Sequence, residues 1–390
     1  MKFRFPLKQH VGGPCVPIVK VDDEVKRGQK IAEPNGLGAN IHSSVNGKVQ
    51  SVTESEIIIL GDKNQSKDFL PIDETDDALD AIAEAGIVGA GGAGFPTHVK
   101  LKTKIPGGYA IVNATECEPI LGHNIHYLEE NTEKIISGLK IIMDITEAEH
   151  GIVAIKPKHK EAISKLKAAI GDDNIEIKYL PDLYPAGDER VIVRELLGVE
   201  LKPGQLPGEA NAVIQNLETT KNIALAVEDR KPVIDKDVTI GGRVKGAQEG
   251  KTIMDVPIGY PVKELIEEAG GYLEPHGEIV LGGPFTGKHG KEDTPVTKTL
   301  GGILIAMPFP QDKRKFGILA CECGAQENRL KEIVEAMGGN VVAEEKCKRM
   351  VDVNGRYRCE LPGICPGQAS TVLSLKKKGA EVILTGSCGD

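Results

Sequence analysis

Apolar and polar positions along this chain change their spacing three times. The first stretch is rich in valine and isoleucine in short runs broken by glycine, as in GGPCVPIVKVDDEVKRGQKIAE and SSVNGKVQSV. Such runs predict short strands in a small sandwich over residues 1–70. The spacing then lengthens and alternates. DDALDAIAEAG has helical spacing, YAIVNAT reads as a strand, NTEKIISGLKIIMD as a helix and HGIVAIKP as a strand again. Alternation of this kind predicts an α/β domain with a largely parallel sheet over residues 71–227. KPVIDKDVTIGGRVKG and HGEIVLGGP return to short strands around one helix, PVKELIEEAGG, which predicts a small α+β domain over residues 228–308. After the linker PFPQDKRK the alternation resumes with FGILACECG, giving a second α/β domain over residues 315–390. No internal repeat or low-complexity stretch interrupts this order.

Length and composition agree with a multidomain α/β protein with α+β parts. A chain of 390 residues allows roughly two to four domains with their own cores. With 40% hydrophobic and 27% charged residues, it is neither a disordered nor a membrane-embedded chain by composition. The longest apolar run, residues 301–309, is too short to span a bilayer. MKFRFPLKQHVGGPC has no apolar stretch of signal-peptide length, so a cytoplasmic protein is expected. A net charge of -9 without a basic stripe excludes nucleic acid as a partner. The first domain resembles the hammerhead, or barrel-sandwich hybrid, of lipoyl and biotinyl carriers. The turn in SSVNGKV lacks their modifiable lysine at its tip, so the domain is read as a packing or interaction module.

The strongest chemical signal is GIVGAGGAGFPTHVKLK, residues 86–102. Its glycines let the backbone approach a ligand closely and expose amide hydrogens to phosphate. Lys100 is placed to reach the same anion. The bland alternative is a flexible turn, because GAGGAG is followed at once by Phe-Pro and does not match the dinucleotide fingerprint.

GIVGAGGAGFPTHVKL, NATECEP, YPAGDERVI with ELLGVELKPGQLP, and QNLETTKNIALAV, in this order, resemble the flavin- and NADH-binding subunit of respiratory complex I. They resemble still more the RnfC family, the NADH-entry subunits of ion-translocating electron-transport complexes. Within it, the chain is most similar to the RnfC-like proteins associated with D-proline reductase in amino-acid-fermenting clostridia. The likeness runs to about residue 307 and implies that the third domain is a β-grasp. It implies FMN and NADH as cofactors, with the phosphate near Gly89, Gly91, Gly92 and Lys100. Asn113, Glu116 and Glu118 would lie beside the ring and ribityl chain, and Asn216, Glu218 and Thr219 would complete the pocket. Thr115 stands where complex I relatives carry aspartate. Tyr184, Gly187, Asp188 and Glu189 would shape the nicotinamide side, Glu116 and Glu189 being the catalytic candidates, and Phe95 would stack on an adenine or flavin face. Cys117 is read as a packed small side chain. The implied reaction is hydride transfer from NADH to flavin, then single electrons to an acceptor reductase, D-proline reductase first.

Six of the eight cysteines crowd the last 70 residues. The family's CxxCxxCxxxCP runs are missing, so two four-iron clusters are not expected. The tail instead resembles the small iron-sulfur domain of the delta subunit of methyl-viologen-reducing hydrogenase. Cys321 and Cys323 should end the strand FGILA, Cys365 should precede a helix at residues 368–378, and Cys388 should follow the strand VILTG. Loops at the carboxyl ends of strands gather at one crevice, so these four are the candidate metal ligands. A 2Fe-2S cluster and a dithiol relay both suit them, the Cys-x-Cys spacing being shorter than the usual one. Cys347 and Cys359 are set apart, because an Asn354-Gly355 turn would put Met350, not Cys347, opposite Cys359. The chain stops at Gly-Ser-Cys-Gly-Asp, where the hydrogenase-type domain places another cysteine, so continuation through a selenocysteine codon is an expectation that an intact native mass of 41.7 kDa would refute. Two competing readings are a non-catalytic scaffold of an electron-transfer complex and a flavin-free thiol-disulfide carrier.

Overall fold

The computed structural model describes residues 1–171 and 174–386. Alternation sets the first unit: in Lys2–Pro6, Phe3 and Phe5 are fully buried while Lys2 is exposed. This strand pairs antiparallel with Glu56–Gly61, followed in the sheet by Gly47–Val52 and Glu24–Val25. Cys15–Pro17, Lys30–Pro34 and Ile41–His42 form a second antiparallel sheet.

A parallel sheet follows in the order Ile175–Tyr179, His150–Ile155, Tyr109–Ala114, Ala212–Asn216. His150–Ile155, Tyr109–Ala114 and Ala212–Asn216 are largely buried because helices cover both faces, while the edge strand Ile175–Tyr179 is more exposed. Thr132–Thr146 packs on Leu217–Asp229 on one side, with Gly138 so close that a Cβ there would lie 2.4 Å from the Thr220 carbonyl. Ile192 and Val193 of the helix Glu189–Leu197 pack on Ile111, Ile152 and Ile214 on the other. From Tyr109–Ala114 the chain steps outward through two strands, then returns to add Ala212–Asn216 on the opposite side. The strand order therefore reverses between these two, which is where open α/β sheets bind ligands.

The third unit is a five-stranded sheet ordered Lys251–Pro257, Asp235–Gly242, Gly302–Ile305, Ile279–Leu281, Lys288–Gly290, with the helix Val262–Ala269. One core runs through all three units, Phe5, Leu128 and Ile266 sharing it. Arg27 meets Asp235 at 2.6 Å in a buried ion pair between the first and third. Lys298 is buried among all three, its Nζ donating to the carbonyls of Asn40 at 2.5 Å and Gly86 at 2.6 Å.

Burial pulls Lys298 from its ordinary value near 10.5 down to about 7. Between those values the unfolded chain binds more protons than the folded one. This group's contribution to stability therefore rises from about pH 7 to about 10.5 and is flat below. A Lys298→Met chain is expected to lose that rise, which thermal melts of both proteins from pH 7 to pH 10 will check.

The tail is a three-stranded parallel sheet, with Lys315–Ala320 between Asn340–Lys346 and Val382–Thr385. Phe316 and Ile318 face the helix Glu327–Ala336, while Leu319 faces Ala369–Lys377. Asn354 and Gly355, with φ of 53° and 78°, close the hairpin of Met350–Val353 and Arg356–Cys359. Met350 stands opposite Cys359, the register expected from the turn. Cys388 and the chain's last residues lie outside the described ones.

Candidate active site

Asn113 and Asn216 are cross-strand neighbours at the carboxyl ends of the two strands flanking the switch point. The segments that follow them converge there. Asn113 Nδ2 donates to the Gly187 carbonyl at 3.0 Å, and its Oδ1 accepts from the Thr115 hydroxyl at 2.6 Å. Asn216 caps the next helix by accepting from the Glu218 amide at 2.9 Å. These contacts close a cavity of about 480 Å³, lined by Gly91, Gly92, Asn113, Glu116, Gly187, Asn216 and Glu218. The glycine loop forms its wall. It is held from behind by Thr219, whose hydroxyl accepts from the Ala90 amide at 3.0 Å. A Cβ at Gly91 would sit 2.6 Å from Asn216 Nδ2, so the two segments touch through the missing side chain.

Three carboxylates behave differently. Glu116 has φ of 37°, a costly backbone for a non-glycine residue, with its carbonyl held by Lys156 Nζ at 3.2 Å and its carboxylate accepting from the Asn124 amide at 3.2 Å. Glu218 is buried in an ion pair with Lys236 and also accepts from the Asp237 amide at 3.0 Å. Glu118 reaches across to the third unit, accepting from the amides of Phe285 at 2.9 Å and Thr286 at 3.0 Å and from the Thr286 hydroxyl. Its carboxylate lies over Gly283, where a Cβ would fall 2.2 Å away. Phe285 in turn meets the Tyr184 ring edge-on, 4.5 Å between centroids.

A second cavity, about 850 Å³, opens from the same glycine loop. Gly91, Gly92, Glu118, Tyr184 and Asp188 line one side, and Cys321 and Cys323 of the tail line the other. Asp188 caps the helix Glu189–Leu197, accepting from the Arg190 amide at 2.9 Å, and burial pushes its carboxyl up. Burial also pushes the Tyr184 phenol up.

Several expected residues stand elsewhere. Lys100 and Glu189 line neither cavity: Lys100 Nζ donates to Glu189 at 2.7 Å and to the Ile214 carbonyl at 2.5 Å, because a carboxylate and a carbonyl are its nearest acceptors. Gly89 and the half-exposed Phe95 pair with each other through the backbone and line neither cavity. Cys117 lines both and accepts from the Gly187 amide at 3.4 Å.

In the tail, Cys321 and Cys323 end the central strand as expected, yet their neighbours are Cys347 and Cys359, and Cys365 is exposed. Cys347 ends Asn340–Lys346, the strand beside Lys315–Ala320, and its amide bonds the Ala320 carbonyl at 2.9 Å. Cys359 arrives because the hairpin folds back toward Glu322.

Sequence reasoning missed His123 and Asn124, which line the smaller cavity from the start of the helix His123–Glu130. Burial lowers His123 to about 4, leaving a neutral imidazole 3.1 Å from the Thr239 hydroxyl. It missed the 282–287 loop too. No local motif marks these residues; only the meeting of the second and third units does.

Residues 82–225 match the family model of the Nuo51 FMN-binding domain, and residues 1–66 that of the RnfC barrel sandwich hybrid domain. A component of the proton-translocating ferredoxin:NAD(+) oxidoreductase complex of Clostridium ljungdahlii is 36% identical over 326 residues, spanning 78% of this chain and 70% of that protein. The chain belongs to the RnfC family. The corresponding component of the Na(+)-translocating ferredoxin:NAD(+) oxidoreductase complex of Acetobacterium woodii is 34% identical over 323 residues, 77% of this chain and 72% of that one. Cobalamin reductase PduS of Salmonella typhimurium is 37% identical over 231 residues, 59% of this chain and half of its own. The FMN-binding match contains every expected site residue from Gly89 to Thr219, and neither family model reaches the cysteine-rich tail.

Proposed function

We propose that this RnfC-family chain takes hydride from NADH onto flavin mononucleotide in the switch-point cavity and passes electrons through its tail cysteines to a partner reductase. The carrying observation is the cavity itself, glycine-walled and framed by the registered pair Asn113 and Asn216. Its volume suits a cofactor-sized ligand. Asn124 Oδ1, buried in its wall, has no hydrogen-bond partner among the described residues, and Gly92 has nothing within 4 Å of a built Cβ. Both fit a polar guest lying against the loop.

Bound there, flavin mononucleotide supplies the conversion of a hydride pair into single electrons. The protein's work is orientation. Gly91 and Gly92 present backbone to the guest, while Asn113, Asn216 and Glu218 fix the walls. Glu118, Tyr184 and Asp188 lie on the side open to the larger cavity, where a nicotinamide would enter. Glu116 acts through its held backbone, and Glu189 with Lys100 steadies the helix behind the site.

The four units are assigned as a barrel-sandwich at residues 1–70, the flavin domain at 71–227, a β-grasp at 228–308 and the redox domain at 315–390. No helix among the described residues is long and apolar enough to cross a membrane. The relatives' place in ion-translocating complexes supports a peripheral cytoplasmic placement beside such a complex. D-proline reductase as the acceptor rests on the sequence resemblance alone.

Fluorescence titration tests the cofactor assignment: one equivalent of FMN should be quenched on binding, and riboflavin should bind more weakly. No quenching by either would refute it. In a Gly283→Ala chain, NADH is expected to reduce the bound FMN at least about tenfold more slowly, a barrier change of ~1.4 kcal/mol. The added methyl would meet the Glu118 carboxylate, and stopped-flow absorbance will read the change.

A further inference from the structure

His123 opens the helix His123–Glu130 at the seam between the second and third units, and its ring is fixed from the third. Thr239, on the strand Asp235–Gly242, takes two amides there: its hydroxyl oxygen accepts from the Gly122 amide at 3.1 Å and from the His123 amide at 3.2 Å. A hydroxyl has two acceptor sites and one hydrogen. With the oxygen so occupied, the hydrogen is left for His123 Nδ1, 3.1 Å away. Nδ1 is thus the acceptor, and in a neutral ring the proton then sits on Nε2. The ring is neutral because burial lowers it to about 4, with Glu116 and Asp237 opposing that shift and Lys236 and Lys221 adding to it.

That Nε2 hydrogen, in the wall of the smaller cavity, has no good acceptor in the protein. Nε2 stands 3.4 Å from Asn124 Nδ2, itself a donor, while the buried Asn124 Oδ1 has no hydrogen-bond partner among the described residues. With the Asn124 amide turned end for end, Oδ1 would stand at that 3.4 Å, which is a long and weak bond. A buried donor left in this state costs free energy unless a guest completes it. Gly301, which lines the same cavity, keeps the ring edge clear: a Cβ there would lie 3.0 Å from His123 Cε1 and 3.2 Å from Nε2.

We propose that His123 is a hydrogen-bond donor to the flavin ring: its Nε2 hydrogen, aimed by Thr239 and left uncovered at Gly301, bonds an acceptor atom of the bound cofactor and favours its reduced form. The inference rests on the flavin reading above and adds to it a residue that sets the cofactor's potential. The carbonyl oxygens and ring nitrogens of a flavin gain negative charge on reduction. A donor already fixed beside them bonds the reduced ring more strongly than the oxidised one and needs no reorganisation to do so.

The test uses the full chain and two readouts that do not depend on turnover. Nitrogen NMR of histidine-labelled protein at neutral pH should show His123, identified by the signal lost in His123→Gln, protonated at Nε2, and added FMN should move that resonance. Anaerobic titration against a reference dye then gives the potential of bound FMN. His123→Leu is expected to shift the ratio of reduced to oxidised FMN affinity at least about tenfold toward the oxidised form, which is about 30 mV for a two-electron couple. His123→Gln keeps a side-chain N–H and should lie closer to the parent than to His123→Leu. Gly301→Ala, whose methyl meets the same ring edge on a backbone outside the left-handed region, should lower the potential as His123→Leu does. If His123→Leu does not fold, Gly301→Ala and the nitrogen spectrum carry the test. A ring protonated at Nδ1, a potential unchanged by these variants, or an equal loss of affinity for both forms of FMN would overturn the proposal. If the parent binds no FMN, the function proposed above fails and takes this inference with it, whereas FMN bound at the same potential throughout sinks this inference alone.

Discussion

A Gly92→Val chain is expected to melt within about 2 °C of the parent and to lose at least about 100-fold in FMN affinity, ~2.7 kcal/mol. The two halves of this expectation come from one position. An added Cβ at Gly92 meets nothing within 4 Å, and the residue's backbone is not in the left-handed region, so folding pays little for the change. Gly92 nevertheless walls both cavities, and a branched side chain there would occupy the space of the guest. Gly91 is the instructive contrast. Its Cβ would strike Asn216, so Gly91→Val should lower both stability and affinity and cannot separate the two. Calorimetry alongside the FMN titration distinguishes them. A Gly92→Val protein that still binds FMN at parental affinity would move the cofactor away from this loop.

The second large effect concerns stability. Lys236 and Glu218 are each nearly inaccessible, and their ion pair joins the third unit to the helix that Asn216 caps. Replacing Lys236 by methionine leaves the Glu218 carboxylate buried with the Asp237 amide as its remaining hydrogen-bond donor among the described residues and Lys221 as the nearby cation. Breaking a buried pair from one side costs about 3–5 kcal/mol. At roughly 2–4 °C per kcal/mol for domains of this size, the melting temperature should fall by about 6–20 °C. The double change Lys236→Met with Glu218→Gln removes the stranded charge and should recover a good part of the loss, because the neutral amide costs less to bury. Differential scanning calorimetry on the parent, the single and the double variant reads both. A single variant as stable as its parent would mean that the pair is hydrated in solution.

How far the sequence carries such arguments depends on the range of the contacts involved. Strands and helices of the second unit were legible in YAIVNAT, HGIVAIKP and NTEKIISGLKIIMD because their apolar periods are local and uninterrupted. The Asn354-Gly355 hairpin and its register were legible for the same reason, since a two-residue turn with positive φ leaves one pairing. Gly91, Gly92, Asn113, Glu116 and Glu218 could be read as neighbours from motifs that end strands or flank them. Lys100 could not be placed correctly, because its partners Glu189 and Ile214 lie 89 and 114 residues away in the chain. Glu118 lines the cofactor cavity as its motif suggests, but its hydrogen-bonding partners, Phe285 and Thr286, come from another unit and are not legible locally. In the tail, the contacts of Cys321 and Cys323 beyond their own segment come from a neighbouring strand and a hairpin. Cys347 ends the strand immediately parallel to that of Cys321, while Cys365 is exposed.

The central claim is that electrons enter this chain from NADH at a flavin held against the 89–94 loop. The most direct test is an anaerobic absorption spectrum of the FMN-loaded protein during stepwise addition of NADH, with the flavin identified after release from the denatured chain. Bleaching of the flavin bands by NADH, together with recovery of FMN, is the predicted result. A protein that binds FMN yet keeps its full flavin absorbance under excess NADH would contradict the account.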